Sequence, residues 1–312
     1  MDALVSEAAR MIARGSKSFN LAARLFDPVV RARALLLYAW CRHCDDVVDE
    51  QALGMGFLAR ADSPAARVDR LREETLRALA GRPAGTLPFQ ALARFAEETG
   101  LPARYPLEHL DGFAMDAADR RYRTLQDTLE YSYHVAGVVG VMMAIAMGVS
   151  PEDRPTLERA SDLGIAFQLA NIARDVVEDA ARQRSYLPDE WLAQADIAPG
   201  ELAHPVYRAA LARVTQQLVH EAGRYRESAR FGTAALPFRS AWAVLAAGGI
   251  YGAIGNKVRA AGARAWHVRQ STTRLEKLRL IVKARAQAAR RLSLGFPPPR
   301  VGLWTMPWTP AP

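Results

Sequence analysis

Apolar residues recur along this chain at intervals of three and four, and runs of β-branched residues with period two are missing. Leu275, Leu278, Val282, Ala286 and Ala289 show the spacing. A helix of 3.6 residues per turn gathers such positions into one stripe, whereas a half-buried strand requires alternation. The pattern predicts an all-α fold. The punctuation is helical as well. Asp27-Pro28 reads as an N-cap followed by proline at the first helical position, and Ser150-Pro151-Glu152-Asp153 repeats that signature with acids in the first turn. Gly81 and Gly100, each followed by proline within two residues, read as helix stops.

With 312 residues, half of them hydrophobic, the chain suits one large domain or two small ones. Its composition lies far from that of disordered, collagenous or disulfide-scaffold proteins. No linker, repeat or low-complexity tract divides it, so residues 1–294 are expected to form one helical domain. The remainder, 295–312, holds Pro297 to Pro299, Trp304, Pro307, Trp308 and Pro310 and is expected to be an extended or disordered tail.

The two cysteines, Cys41 and Cys44, have no second Cys or His pair at zinc spacing and no βαβ setting, so they read as packing residues of a reducing compartment. Asp2 and Glu7 with no apolar run argue against a secretory signal, which favours the cytoplasm. Tyr131 to Pro151 and Phe231 to Asn256 are almost uncharged. Their Gly and Ala content, with His134 in one and Pro237 and Arg239 in the other, suits helices buried in protein better than membrane spans.

Two acidic segments carry chemistry. In Tyr38-Ala-Trp-Cys-Arg-His-Cys-Asp45-Asp46-Val-Val-Asp49-Glu50, a helix puts Tyr38, Arg42, Asp45 and Asp49 on one stripe inside an otherwise apolar element. In Gln168-Leu-Ala-Asn171-Ile-Ala-Arg174-Asp175-Val-Val-Glu178-Asp179, the residues Gln168, Asn171, Asp175 and Asp179 do the same. Carboxylates and amide oxygens without His or thiolate are hard ligands, which suit Mg²⁺ or Mn²⁺ better than zinc. Mg²⁺ binds through one or two carboxylates plus phosphate oxygens, and the neighbouring Arg42 and Arg174 are fork donors for phosphate. The site reads as a metal-bridged diphosphate clamp; a solvated helix face or a buried ionic network between helices is the bland alternative.

These strings, together with Gly15-Ser-Lys-Ser-Phe19 and Tyr131-Ser-Tyr-His-Val-Ala-Gly137, closely resemble the bacterial, phytoene-forming branch of the squalene/phytoene synthase family, from about residue 10 to about residue 290. The resemblance implies an isoprenoid-synthase fold around a central active-site cavity. It also implies a prenyltransferase that joins two geranylgeranyl diphosphates head to head, through prephytoene diphosphate, into phytoene at the start of carotenoid biosynthesis. By the same resemblance Asp45, Asp49, Asn171, Asp175 and Asp179 are the metal ligands. Arg42, Arg174 and Gln168 contact diphosphate, and Ser16, Lys17, Ser18 and Phe19 form a flap over it. Tyr38 and Tyr251 lie near the reacting centre. The family often has His where Gly15 stands here.

Allylic cations need a pocket that excludes water. Gly137, Gly140, Ala144 and Gly148, beside Met142, Met143 and Met147, form a small-residue stripe that suits either a pocket wall or close helix packing. Ala22 and Ala23 leave room for a longer prenyl tail. Tyr133, His134 and the departing diphosphate are the candidates for the final base.

Eleven Lys and Arg lie between Lys257 and Arg291 against the single Glu276, although the whole chain carries only +8. A local basic segment points to an anionic partner. For a hydrocarbon product the useful one is a membrane surface, with Trp304 and Trp308 adding interfacial contact; an ordinary solvated face is the alternative. Neighbouring carotenoid enzymes are further expected partners. The nearest rival function is a dehydrosqualene or squalene synthase using farnesyl diphosphate. Squalene formation needs NADPH, and Gly54-Met-Gly56 lacks both the third glycine and the strand–helix setting of a dinucleotide site, so no NADPH is expected. A nucleic-acid-binding role leaves the paired aspartates unexplained.

Overall fold

In the computed structural model the described residues are 3–15, 23–48, 62–82, 85–198 and 200–307, and among them there are helices and turns but no strand. The helices are α1 (Ala3–Gly15), α2 (Pro28–Val48), α3 (Pro64–Leu79), α4 (Leu87–Thr99), α5 (Arg104–Ala117), α6 (Leu125–Ser132), α7 (Val138–Ala146), α8 (Arg154–Ala181), α9 (Asp189–Gln194), α10 (Arg208–Gly232), α11 (Phe238–Ala261) and α12 (Arg274–Ala289).

Local chemistry places their ends. The Asp27 carboxylate accepts from the backbone N–H groups of Val29 and Val30, both at 3.0 Å, so α2 opens at the expected proline. Gly100 closes α4 in the left-handed region at φ 64°, and Gly81 does the same after α3 at φ 67°. The start expected at Ser150 shifts. Asp153 is the cap of α8, accepting from the N–H of Thr156 at 3.2 Å, and Pro155 rather than Pro151 occupies the first turn.

The 28-residue α8 spans about 42 Å and is the axis of the molecule, packed by α10, α7 and α11. Close approach to α7 explains the glycines. A methyl group built on Gly164 would stand 2.1 Å from the carbonyl oxygen of Ala136, and one on Gly140 would stand 2.4 Å from that of Ala160. Gly164→Ala is therefore expected to lower stability by about 1–3 kcal/mol through forced separation of the two backbones. Chemical denaturation checks this, and an unchanged midpoint at unchanged slope would refute the close-packing account.

Leu125–Ala146 is long and apolar enough to cross a membrane, but 67% of its central window is buried inside the fold. It is a core element, interrupted at Tyr133–Gly137 by a π-helical turn. Phe231 to Asn256 is likewise broken: α10 ends at Gly232, a short 3₁₀ turn covers Thr233–Ala235, and α11 starts after Pro237.

The segment expected to be loose is docked. Arg300 forks onto the fully buried Asp162 at 2.6 and 2.9 Å, reaches Glu158 at 2.8 Å, and also donates to the Trp304 carbonyl. The N–H of Trp304 donates to the Tyr225 hydroxyl, its ring lies 4.5 Å from that of Tyr133, and Met306 is buried. The buried Asp162 on α8 demands a cation, and proline content does not reveal that demand. Trp308 and Pro310 lie outside the described residues.

Candidate active site

A cavity of about 700 Å³ runs between α2, α5, α6–α7, α8 and α11. One end is polar. There α2 contributes Tyr38, Arg42 and Asp45, and α8 contributes Gln168, Asn171, Arg174, Asp175 and Asp179. The two stripes read from helical spacing thus face one space, because each helix buries its other sides elsewhere: Leu36, Trp40 and Cys44 in α2, Leu169, Ala173 and Val176 in α8. The other end is largely apolar, walled by Phe26, Met143, Met147, Leu236, Ala243 and Val244, with Thr156, Arg159 and Thr233 also in its lining. Asp49, Ser16, Lys17, Ser18, Phe19, Ala22 and Gly54 to Gly56 lie outside the described residues.

Arginines hold the carboxylates. Arg42 bonds Asp45 at 2.7 Å and Asp46 at 2.9 Å, while Arg174 bonds the adjacent Asp175 at 2.8 Å. Arg269, from the loop before α12, reaches Asp175 at 3.0 Å and Glu178 at 3.3 Å. These pairs lie within α2, within α8, or between α8 and Arg269. The Asp179 carboxyl is pushed up to about 6 by burial and then by the charges of Asp175 and Glu178. At this end of the cavity Arg182 and Arg184 oppose that rise.

Its donors fit a divalent cation in kind: oxygen-only, carboxylate-rich and mutually repelling. Among the described residues no three His, Cys, Asp or Glu side chains converge as a ready-made cluster. Cys41 and Cys44 are thiols raised by burial, Cys44 fully enclosed, as suits packing residues.

Tyr251 lines the cavity with its ring stacked on Phe167 at 4.1 Å, and burial raises its hydroxyl pKa. These two rings also line a second, basic cleft of about 510 Å³ that includes Arg226 and Arg259, so they form the partition between the spaces. The small-residue stripe serves both suggested ends: Gly140 and Ala144 line the cavity, and Gly137 packs against Ser161 and Ile165. Two candidate bases are elsewhere. Tyr133 donates to Glu108 and His134 contacts the Glu108 carbonyl at 2.7 Å, and neither lines the cavity. Spacing also missed Asp46, Asp116 and Arg269. Asp116 lines the cavity while accepting from Tyr131 and Tyr186, both at 3.1 Å, and only tertiary structure assembles that group.

The sequence pattern described as squalene/phytoene synthase matches residues 12–279. The chain belongs to the squalene/phytoene synthase family. Among its relatives, a phytoene synthase of Pseudescherichia vulneris is 48% identical over 305 residues, covering 97% of this chain and 98% of that one. A 15-cis-phytoene synthase of Pantoea ananas is 47% identical, with the same two coverages of 97% and 98%. Within the family's solved structures, a dehydrosqualene synthase in complex with ligand superposes with TM-score 0.79 at 24% identity, over 91% of this chain and 95% of that one. This likeness concerns the fold, which is the all-α architecture expected from the sequence.

Proposed function

We propose that this chain is a prenyltransferase that condenses two geranylgeranyl diphosphates head to head into phytoene, the entry step of carotenoid biosynthesis. One observation carries the reading: two acidic, arginine-bearing helix faces meet at the polar end of a single, otherwise apolar cavity. The near-full-length phytoene synthase relatives support the C20 substrate and the product.

In this reading Asp45, Asn171, Asp175 and Asp179 hold Mg²⁺ or Mn²⁺, with Asp49 beside them in sequence. The bound ion supplies Lewis-acid neutralisation of the leaving diphosphate. Arg42 and Arg174, already at the rim, orient that diphosphate by forked hydrogen bonds, aided by Gln168. The apolar wall keeps water from the allylic cation, and Tyr38 and the stacked Tyr251 ring offer aromatic faces to it. With Tyr133 and His134 outside the cavity, the departing diphosphate is the base among those considered.

The protein acts in the cytoplasm as a peripheral membrane enzyme, because its product is a hydrocarbon. The test is incubation of the purified chain and Mg²⁺ with labelled geranylgeranyl or farnesyl diphosphate, without NADPH, against Asp45→Asn. Phytoene from the C20 substrate alone is expected, with loss in the variant. A C30 product only would transfer the chain to the dehydrosqualene branch, and no product with either would return the acidic faces to a structural role. Ala23 is 1% exposed and precedes the cavity-lining Phe26 by three residues. Ala23→Phe is expected to shift preference from the C20 to the C15 diphosphate; unchanged relative kcat/KM would discard Ala23 as a length determinant.

A further inference from the structure

The helix α12 is turned inside out relative to an ordinary surface helix. Its buried positions are the small Ala284 and Ala288, packed toward α11, where the Trp242 indole donates to the Ile281 carbonyl at 2.8 Å. Leu280 and Ile281 are half-buried, Leu280 against Gly249 of α11, but three large aliphatics face outward: Leu275 is 56% exposed, Leu278 58% and Val282 63%. The turn that follows adds Leu292 and Phe296, at 72% and 100%. Arg274, Arg279, Lys283, Arg285 and Arg290 flank this stripe, all exposed and none paired with an acid among the described residues. The one acid of the helix, Glu276, is engaged by Lys257 at 2.8 Å and by its own cap.

An apolar stripe bordered by unpaired cations matches one surface chemistry, an anionic bilayer, whose acyl region takes the aliphatics while its headgroups take the arginines. The turn after α12 reaches the apolar end of the cavity at Leu236. Two carbonyls beside that end are each held by an arginine. Arg291, just past α12, donates to the carbonyl of the cavity-lining Leu236 at 3.0 Å, and Arg239 donates to that of Phe26 at 3.0 Å.

We propose that the outward face of α12 and the turn after it seat on an anionic membrane, and that the hydrocarbon product leaves the cavity there, between the Phe26 and Leu236 loops. This rests on the prenyltransferase reading for the identity of the product, but the docking face stands on the exposed side chains. Parting the two loops breaks these hydrogen bonds and exposes Phe26 and Leu236, both buried here, which the acyl region of the bilayer can take up, and the bilayer receives the product without its crossing water.

The test pairs flotation with kinetics, using the full chain and vesicles of phosphatidylglycerol and phosphatidylcholine or of phosphatidylcholine alone. Wild type is expected to float with anionic vesicles and to detach at high salt. Leu275→Ser/Leu278→Ser/Val282→Ser is expected to lose roughly tenfold or more of that binding. Val206→Ser, which changes an equally exposed aliphatic outside α12 (70%), is expected to float like wild type. With enzyme in excess, the triple variant should form product in a single turnover at the wild-type rate, while its repeated turnover on vesicles falls and detergent restores it. Equal flotation of the triple variant and wild type would overturn the docking face, as would a change of the triple variant from oligomer to monomer with no lipid effect. Docking with unchanged repeated turnover would overturn the exit route. Absence of phytoene from wild type in a single turnover would instead strike the functional reading.

Discussion

Asp175→Asn is expected to lower phytoene formation by roughly 10²–10³-fold, with little change in thermal stability. The substitution keeps the side chain's shape, leaves one of the two oxygens that accept from Arg174 and Arg269, and removes one negative charge from the polar end of the cavity. Charge stabilisation of a leaving group by a bound divalent ion is worth several kcal/mol, and each 1.36 kcal/mol is tenfold in rate. The companion measurement is the Mg²⁺ concentration for half-maximal activity, which should rise. Asp46→Asn is the contrast, since Asp46 supports Arg42 and does not line the cavity; its effect should fall on KM more than on kcat. Near-wild-type turnover of Asp175→Asn at saturating substrate and Mg²⁺ would remove Asp175 from the ligand set.

Arg300→Leu is expected to destabilise the fold by about 3–5 kcal/mol, the usual consequence of removing one partner of a buried ion pair. Asp162 would be left fully buried with its carboxylate hydrogen-bonded only by Ser228, and Glu158 would keep only Arg154. At roughly 2–4 °C per kcal/mol for a chain somewhat smaller than this, the melting temperature should fall by about 10 °C. Asp162→Asn in the same chain should recover part of the loss, because it removes the orphaned charge. A melting temperature within 1 °C or so of wild type would mean that the segment after 295 contributes little to the native state.

The residues differ in how far spacing alone disclosed them. Asp45 and Asp175 were legible because helical periodicity is short-range: a polar stripe in an apolar helix has to face something polar, and two such stripes share a cavity. The start of α8 was misplaced by three residues because Ser150 and Asp153 are both good caps, and only the competition between them decides. The docked segment around Arg300 was illegible since its reason sits on Asp162, and no local rule relates the two positions. The outward turn of α12 was equally hidden. Periodicity shows that a stripe exists and is silent on which way the helix rolls, and here Ala284 and Ala288 are buried while Leu275, Leu278 and Val282 are left outside.

The separation between Asp162 and Arg300 bears on the order in which this molecule can be completed. They lie 138 residues apart, and a chain is made from its amino end. Throughout synthesis α8, the axis on which α7, α10 and α11 pack, carries acids whose guanidinium has not yet been built. Long-range closure of that kind is slow, and it comes last here by necessity. Nascent chains stalled before residue 300 should therefore hold their helices loosely and be cut readily by proteases, and resistance should arrive abruptly once Arg300 is free to reach α8.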